Sequence, residues 1–336
     1  MKLGVIGTGA ITKSMLAEYQ RCAQFEIHAI CSRKEETGKA MAEAFSIPKV
    51  YTDLSQMLAD PEIEIVYVAT PNSIHFRQAK QVLLAGKHVI CEKPFTPTVA
   101  EAEELMALAK EKHLFLFEAI TTAHHPHYEF IKENLQKLGK LKIVSATFCQ
   151  FSSRYPALLA GNPTPVLSHE FAGGALMDIN LYNVHFVVGL FGMPKNVRYT
   201  ANRHETGVDT SGMLVLEYDG FLCQCIGAKD TMCDNSFQLL GDKGYIHITP
   251  GAGNLRTVKL VHRGAEDMGP AGNNSRTKGK DREEMELPED QWFYEIQTIS
   301  KLIAEGNKEV FRKNMEISRN VMEVLEKARK SAGMAF

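Results

Sequence analysis

The chain has 336 residues, enough for two domains, and its 44% hydrophobic and 23% charged residues are ordinary for a globular protein. A formal net charge of −2 excludes the basic excess of nucleic-acid-binding proteins, and no apolar run approaches the ~20 residues of a membrane-spanning helix. We therefore expect neither a nucleic-acid nor a membrane partner. The seven cysteines have no framework spacing, and an early glycine breaks the N-terminal segment, so we expect a cytoplasmic protein without a signal peptide.

The chain opens with a pattern typical of dinucleotide binding. An apolar strand at Leu3–Ile6 is followed by Gly7-Thr8-Gly9-Ala10-Ile11, and a helical pattern then continues to Arg21. The two glycines allow a tight turn and let a pyrophosphate approach the backbone at the helix N-terminus. The third glycine of the full fingerprint is replaced by Thr12, so the motif by itself is weak.

The second strand bears on the choice of cofactor. It is predicted at Glu26–Ile30 and is followed by Cys31-Ser32-Arg33-Lys34, with no carboxylate between Ala29 and Lys34. An NAD site places an acidic residue near this strand end to hold the ribose 2′-hydroxyl, whereas a hydroxyl and two cations suit a 2′-phosphate. We therefore favour NADP over NAD, the alternative being that Arg33 and Lys34 are only solvated.

Strands and helices alternate through the rest of the first third of the chain. Repeated β-α units with short connections predict a doubly wound parallel sheet in a domain of residues 1–120. The predicted helices are Lys39–Phe45, Leu54–Leu58, Ile74–Ala85 and Thr98–Lys112, and the predicted strands are Val50-Tyr51, Glu64–Ala69, Val89–Cys91 and Leu114–Phe117.

The strand at Val89–Cys91 ends unusually, in Glu92-Lys93-Pro94. Proline cannot continue a central strand because it has no N–H for the ladder. The two charges must then lie at the carboxyl edge of the sheet, where ligands bind in open α/β folds. The alternative is a strand end with a solvated Lys93.

Four motifs together resemble the Gfo/Idh/MocA oxidoreductases, the relatives of glucose–fructose oxidoreductase, inositol dehydrogenase and dihydrodiol dehydrogenase. They are Gly7-Thr8-Gly9-Ala10-Ile11, Thr70-Pro71-Asn72-Ser73-Ile74-His75, Cys91-Glu92-Lys93-Pro94 and Gly173-Gly174-Ala175-Leu176-Met177-Asp178. The resemblance spans essentially the whole chain. It implies a Rossmann domain followed by an α+β domain with a large, mostly antiparallel sheet.

The resemblance also implies roles for single residues. Lys93 would lie beside the nicotinamide and the substrate, before a peptide bond that is often cis in the family. Glu92 would hold the nicotinamide ribose. The segment Thr70-Pro71-Asn72 and the nearby His75 would line the cofactor, the alternative for His75 being a helix-start residue satisfied by solvent.

The second domain is expected over residues 121–336 and begins with His124-His125-Pro126-His127. Adjacent histidines could hold one metal ion only with strained geometry, so we expect no metal site. Family members usually carry an arginine here, and His124 or His125 would replace it as a substrate contact. The segment Ser152–Ala172 is predicted as a loop that covers the cleft, with Arg154 as a further substrate contact.

The segment from Gly173 to His185 is predicted to be a helix that carries the remaining site residues. Asp178, Tyr182 and His185 stand at positions i, i+4 and i+7, so a regular α-helix puts them on one face. Many family members have a histidine where this chain has Tyr182. We expect His185 to be an additional substrate contact. The alternatives are a partly exposed polar stripe, or a Tyr182 and His185 that are satisfied within the core.

Strands predominate after Val197. They are predicted at Met213–Tyr218, Phe221–Ala228, Phe237–Leu240, Tyr245–Thr249 and Leu255–His262, followed by a flexible loop at 264–281 and helices at Gln291–Ala304 and Asn314–Ala332. The prediction leaves open whether the final helices pack back on the first domain. A sheet with one face left uncovered is a candidate surface for a homodimer or a larger homo-oligomer.

These features predict an NAD(P)-dependent oxidoreductase that transfers hydride between nicotinamide and a sugar, polyol or related hydroxyl or carbonyl compound. Lys93, Asp178 and Tyr182 are the predicted catalytic residues: Tyr182 exchanges the proton, Lys93 lowers its pKa, and Asp178 orients Lys93 or binds a hydroxyl. Whether Lys93 itself moves the proton stays open. The alternatives are a nucleotide-binding sensor without turnover and a redox-assisted elimination on a glycoside.

Overall fold

A computed structural model describes residues 1–262, 281–287 and 290–334, which contain two sheets. The first sheet has six parallel strands in the order β3-β2-β1-β4-β5-β6. They are β1 (Lys2–Ile6), β2 (Glu26–Cys31), β3 (Lys49–Tyr51), β4 (Ile65–Val68), β5 (His88–Glu92) and β6 (Leu116–Ala119). This is the strand order of a doubly wound dinucleotide-binding fold, so the predicted parallel sheet is confirmed.

Five helices connect these strands: α1 (Ala10–Arg21), α2 (Glu35–Phe45), α3 (Leu54–Leu58), α4 (His75–Leu84) and α5 (Val99–Glu111). The side chain of Asp53 caps α3 by accepting a hydrogen bond from the backbone of Gln56. Helix α2 begins earlier than predicted because Glu35 and Glu36 occupy its first turn, where the helix dipole favours negative charge.

The second sheet has eight strands in the order β14-β13-β12-β11-β7-β10-β9-β8. They are β7 (Leu141–Cys149), β8 (Asn196–Arg203), β9 (Asp209–Tyr218), β10 (Phe221–Ala228), β11 (Ser236–Gly241), β12 (Gly244–Thr249), β13 (Thr257–His262) and β14 (Asp281–Glu286). All neighbours pair antiparallel except β10 and β7, which confirms a large, mostly antiparallel sheet.

Helices precede, interrupt or follow the strands of this sheet along the chain: α6 (Pro126–Asn134), α7 (Tyr155–Leu159), α8 (Leu181–Phe191), α9 (Gln291–Ala304) and α10 (Lys308–Ser331). The expected loop at 152–172 therefore contains a short helix, and α10 starts earlier than expected. The predicted flexible loop at 264–281 lies outside the described residues, apart from Asp281, which begins β14.

The last two helices are tied to the first sheet's helices by ion pairs. Arg21 on α1 binds both carboxylate oxygens of Asp290, the residue before α9, at 2.7 and 2.9 Å. Arg319 on α10 binds Glu103 on α5 at 2.8 Å. These contacts bring α9 and α10 against the dinucleotide-binding sheet. Within the described ranges, no helix is long and apolar enough to cross a membrane.

Candidate active site

The glycine turn after β1 has the geometry that a dinucleotide pyrophosphate requires. Gly7 has φ +112°, and a Cβ there would lie 2.1 Å from the backbone oxygen of Ala69. A Cβ on Gly9 would meet nothing within 4 Å, so the space above this residue is open. Helix α1 begins at Ala10 without a side-chain cap, which leaves its first N–H groups, including that of Ile11, to a ligand. These residues fit a dinucleotide.

Arg33 follows β2, and its contact with a 2′-phosphate stays a prediction. Its side chain is exposed and makes no ion pair with any described residue. Ser32 is buried, and its hydroxyl lies 2.7 Å from the hydroxyl of Thr37. Glu35, the nearest following carboxylate, is engaged by Lys39 at 2.7 Å.

Two side chains of the segment after β4 make hydrogen bonds. Asn72 donates a hydrogen bond to the backbone oxygen of Ala172 at 2.9 Å, so the end of the 152–172 segment is attached to the first domain. Thr70 donates to Gln78 at 2.6 Å. Pro71 precedes the single turn Asn72–Ile74 that leads into α4.

His75 corrects the prediction that its side chain lines the cofactor. It is fully buried, with Nε2 2.8 Å from the backbone oxygen of Thr70 and Nδ1 2.9 Å from that of Pro94. Burial lowers the pKa of His75, and a neutral ring has one N–H to donate. The imidazole therefore links the loops after β4 and β5 from inside the protein.

The end of β5 places Glu92 and Lys93 on different sides of the backbone. Glu92 is buried, accepts a hydrogen bond from the hydroxyl of Tyr67, and has its pKa raised by burial. Its second oxygen accepts from the backbone of Lys93 at 3.2 Å. The Lys93–Pro94 peptide bond is cis, as the family resemblance implies. The role of Glu92 at a ribose stays a prediction.

The structure brings Lys93, Asp178 and Tyr182 together. The Lys93 ammonium donates to Oδ1 and to the backbone oxygen of Asp178, both at 2.9 Å. The same nitrogen lies 5.0 Å from the centroid of the Tyr182 ring, a cation–π contact. The side chains of Lys93 and Asp178 are 16% and 19% exposed, so neither is completely enclosed by the protein.

A second cation at the site, Lys229, follows β10 and was not predicted from the sequence. Its ammonium donates to Oδ2 of Asp178, so the carboxylate lies between two lysines. Burial favours the protonated form of Asp178, but Lys93 and Lys229 outweigh it and hold the pKa at about 2. Burial opposes the charge on Lys93 in the same way, and Asp178, Tyr182 and Glu92 together outweigh that effect and raise the pKa of Lys93.

Tyr182 differs from the prediction in its pKa. Burial raises the pKa of Tyr182 to about 12, and the nearby Lys93 ammonium lowers it by less than burial raises it. The ammonium lies over the ring, and the phenolate would have to form in a poorly solvated place. Tyr182 is therefore a neutral phenol over the whole physiological range, which suits a proton donor.

A π turn presents Asp178. The turn covers Leu176–Asn180 and leads directly into α8. Asn180 donates to the backbone oxygen of Cys225 on β10 at 3.1 Å, and a Cβ on Gly227 would lie 2.5 Å from Asn180. This close approach brings Asp178 to the end of β10, where Lys229 stands. Turns of this kind often occur at functional sites.

The start of the π turn depends on Gly174 and the buried Asp209. Asp209 accepts hydrogen bonds from the backbone of Leu176 and from the hydroxyl of Tyr199, both at 2.7 Å. Gly174 has φ +113°, and a Cβ there would lie 1.9 Å from Oδ1 of Asp209. Only glycine fits between the preceding loop and this carboxylate.

We expect Gly174→Ala to lower the free energy of unfolding by about 3 kcal/mol, since it combines backbone strain with a steric clash. Gly220→Ala is the matched control, because Gly220 also has positive φ, +87°, but open space around its Cβ position. The control is expected to cost about 1 kcal/mol. Urea unfolding of both variants checks this, and equal losses would contradict the steric argument.

His185 corrects the prediction that it shares the cleft face with Asp178 and Tyr182. Its Nε2 lies 2.8 Å from Oε2 of Glu118, and both side chains are almost fully buried. Glu118 also accepts from the backbone of Phe95 at 3.0 Å. The imidazole therefore pairs with a carboxylate in the interior, which argues against a substrate contact.

His124, His125 and His127 lie in different surroundings. His124 lines a small cavity with His185 beneath α10, and burial lowers its pKa to about 4. This placement argues against the predicted contact of His124 with substrate. His125 accepts from the backbone of His127, and His127 bonds the backbone oxygen of Leu255. Arg154 is exposed beside Ser152, and its contact with substrate stays a prediction.

Two family models match this chain, and its relatives include two named dehydrogenases. Residues 1–120 match the model of an oxidoreductase family with an NAD-binding Rossmann fold, and residues 131–247 match the GFO/IDH/MocA C-terminal domain. The scyllo-inositol 2-dehydrogenase (NADP(+)) IolU of Bacillus subtilis is 30% identical over 338 residues, covering 100% of this chain and 98% of that protein. The human trans-1,2-dihydrobenzene-1,2-diol dehydrogenase is 27% identical, with the same coverage.

Solved structures show the same fold. KijD10, a 3-ketoreductase from Actinomadura kijaniata solved with NADP and TDP-benzene, superposes with a TM-score of 0.83 over 99% of this chain and 98% of that one, at 23% identity. UDP-N-acetylglucosamine 3-dehydrogenase GnnA from Acidithiobacillus ferrooxidans gives a TM-score of 0.80 at 21% identity, covering 99% of this chain and 97% of that one.

Proposed function

The chain belongs to the GFO/IDH/MocA oxidoreductase family, and from that premise we propose that it transfers hydride between NADP and a hydroxyl or carbonyl carbon of a sugar, polyol or related compound. It is an NAD(P)-dependent oxidoreductase. The observation that carries the proposal is the Lys93 ammonium, bound to Asp178 and lying over Tyr182 at the carboxyl edge of the sheet that holds the glycine turn.

A nicotinamide cofactor, when bound, would supply or accept the hydride, while residues of this chain orient the substrate and transfer the proton. In reduction, Tyr182 gives its phenolic proton to the carbonyl oxygen as alkoxide character develops. Lys93 stabilises the phenolate that remains, and Asp178 holds Lys93 over the ring. In oxidation the same groups act in reverse.

The substrate class is tested with a panel of polyols, sugars and dicarbonyl compounds assayed in parallel with NADP(H) and NAD(H). Inositols belong in the panel because IolU acts on scyllo-inositol by its name, and trans-dihydrodiols belong there because of the human relative. We expect turnover of at least one hydroxyl or carbonyl compound. Tight cofactor binding without any hydride transfer would instead support a sensor, and product release without a net change in NADPH absorbance would support elimination on a glycoside.

Arg33 supports the choice of NADP. We expect Arg33→Ala to weaken NADPH binding by about ten- to hundredfold, because it removes a charge-assisted contact to the 2′-phosphate, and to leave NADH binding unchanged. Lys39→Ala removes an exposed cation nearby that is already paired with Glu35 and serves as the control. Fluorescence titration with both cofactors checks this, and equal losses for NADPH and NADH would contradict it.

An open face of the second sheet supports a homo-oligomer. Exposed apolar side chains lie on one face of β7, β9, β10 and β12: Ile143 at 48%, Met213 at 45%, Leu222 at 55% and Tyr245 at 36% exposure. Such a patch is typical of an interface.

We further propose a cytoplasmic location, since all seven cysteines are free thiols. A separate proposal is that the boundary between the two domains lies near residue 120.

A further inference from the structure

Lys229 is a buried lysine whose position is fixed at both backbone and side chain. Its N–H donates to the backbone oxygen of Thr210 at 2.7 Å, and its backbone oxygen accepts from Ser152 at 2.9 Å. Its ammonium donates to Oδ2 of Asp178, the only ion pair of this lysine within the described part of the chain. A buried ammonium without that carboxylate would be strongly unfavourable.

The low exposure of Lys229 argues against a direct role at the substrate. Its side chain is 7% exposed, against 16% for Lys93 and 19% for Asp178. The contact of its ammonium with Oδ2 of Asp178 is the route by which Lys229 can affect a bound substrate.

We propose that Lys229 is a positioning residue for the reaction, a proposal that rests on the proposed function of Lys93 and Tyr182. By holding Oδ2, it leaves Oδ1 and the backbone oxygen of Asp178 to fix the Lys93 ammonium over the Tyr182 ring. A carboxylate held at both oxygens cannot rotate, and Lys93 therefore keeps one position.

The charged groups around Asp178 determine how its protonation changes when Lys229 is removed. Lys93 faces Asp178 from the end of β5, and Lys229 faces it from the end of β10. Tyr182 lies on the same helix, while Glu92 and Glu295 act on Tyr182 from β5 and α9. Removing Lys229 takes away one of the two cations that keep Asp178 ionised, so its protonation moves to higher pH.

The kinetic test compares Lys229→Met with Lys229→Arg, using the panel substrate that wild type turns over fastest. For Lys229→Met we expect kcat to fall at least tenfold, with KM and NADPH affinity within about twofold, and the acid limb of the pH profile to move upward. Lys229→Arg keeps the charge and is expected to restore most of kcat and the acid limb. A kcat within twofold of wild type in Lys229→Met would overturn the proposal, as would a rise in KM alone.

A double-variant cycle tests whether Lys229 acts through Asp178. In an Asp178→Asn background, Lys229→Met is expected to change kcat less than twofold, whereas independent effects would multiply and overturn the proposal. Urea unfolding of the same four proteins gives a readout that needs no substrate. There we expect the two substitutions to be coupled by at least tenfold in the unfolding equilibrium constant, and additivity would overturn the contact itself.

Two further measurements keep the outcomes separate. If Lys229→Met does not fold, Lys229→Gln replaces it, because glutamine still donates to Oδ2 but carries no charge. Lys93→Met distinguishes the two proposals: full activity in that variant would remove the proposed role of Lys93, on which the role of Lys229 rests, while a loss of its activity together with normal Lys229 variants would remove only the role of Lys229. An absence of turnover in wild type over the whole panel would remove the proposed function itself.

Discussion

Lys93→Met is expected to lower turnover by about two to four orders of magnitude while NADPH binding stays within about twofold of wild type. The substitution removes the ammonium that lies 5.0 Å from the Tyr182 ring centroid and bonds Asp178. Methionine keeps a similar volume at this half-buried position. Asp178 remains paired with Lys229, so the variant leaves no unpaired buried carboxylate, and the fold should persist.

The measurement is steady-state kinetics with the panel substrate, together with cofactor titration and urea unfolding. Lys80→Met is the control because it removes an exposed lysine, paired with Glu104, from the same domain. A loss of cofactor binding equal to the loss of turnover would assign Lys93 to binding instead of catalysis. Wild-type turnover would remove Lys93 from the mechanism altogether.

The fold and the central part of the site were predictable because their signals are local. Alternating apolar strands and helices, with glycines at the first turn, determine a parallel sheet, and the end of a strand determines which edge its charges occupy. The position of Lys93 at this edge follows from Pro94, which must end the strand, whereas its role beside the nicotinamide was implied by the family resemblance. Asp178 and Tyr182 follow from helical spacing, which a π turn altered without separating them.

Lys229 could have been suspected by the same logic, because a charged residue directly follows the predicted strand Phe221–Ala228. Its partner could not have been predicted. The contact depends on how closely the π turn approaches β10, and that distance is set by the absence of a side chain at Gly227. No periodicity in the sequence reports a packing distance between two segments far apart in the chain.

The predictions for His185 and His75 differ from the structure for a related reason. Helical spacing places His185 near Asp178 in projection, but it doesn't show that Glu118 on β6 lies beside it in the interior. A buried carboxylate takes an available imidazole as its partner because an unpaired charge in the core is costly. His75 likewise lies in the core, with its ring nitrogens 2.9 and 2.8 Å from the backbone oxygens of Pro94 and Thr70, and a neutral ring can donate to one of them. Sequence patterns identify polar residues on a face but not the partner that satisfies them.

Tyr182→Phe decides whether Tyr182 supplies the proton. Phenylalanine keeps the ring and its contact with Lys93 and removes only the hydroxyl, so a packing role predicts no loss. If the phenol is the donor, we expect kcat for reduction to fall by about two to three orders of magnitude, with cofactor binding unchanged. Tyr218→Phe is the control, because it removes a hydroxyl that bonds the backbone oxygen of Gly192 at the far end of α8.

The pH profile and a double variant together separate Tyr182 from Lys93 as the proton donor. With a pKa of about 12, the Tyr182 phenol stays protonated throughout an assay from pH 6 to about 10, so wild type should show no alkaline loss from this group. Tyr182→Phe should then be slower by a constant factor at every pH. A double variant with Lys93→Met should be little slower than either single variant, because both groups act on the same proton. Fully multiplicative losses would mean that Lys93 moves a proton independently of Tyr182.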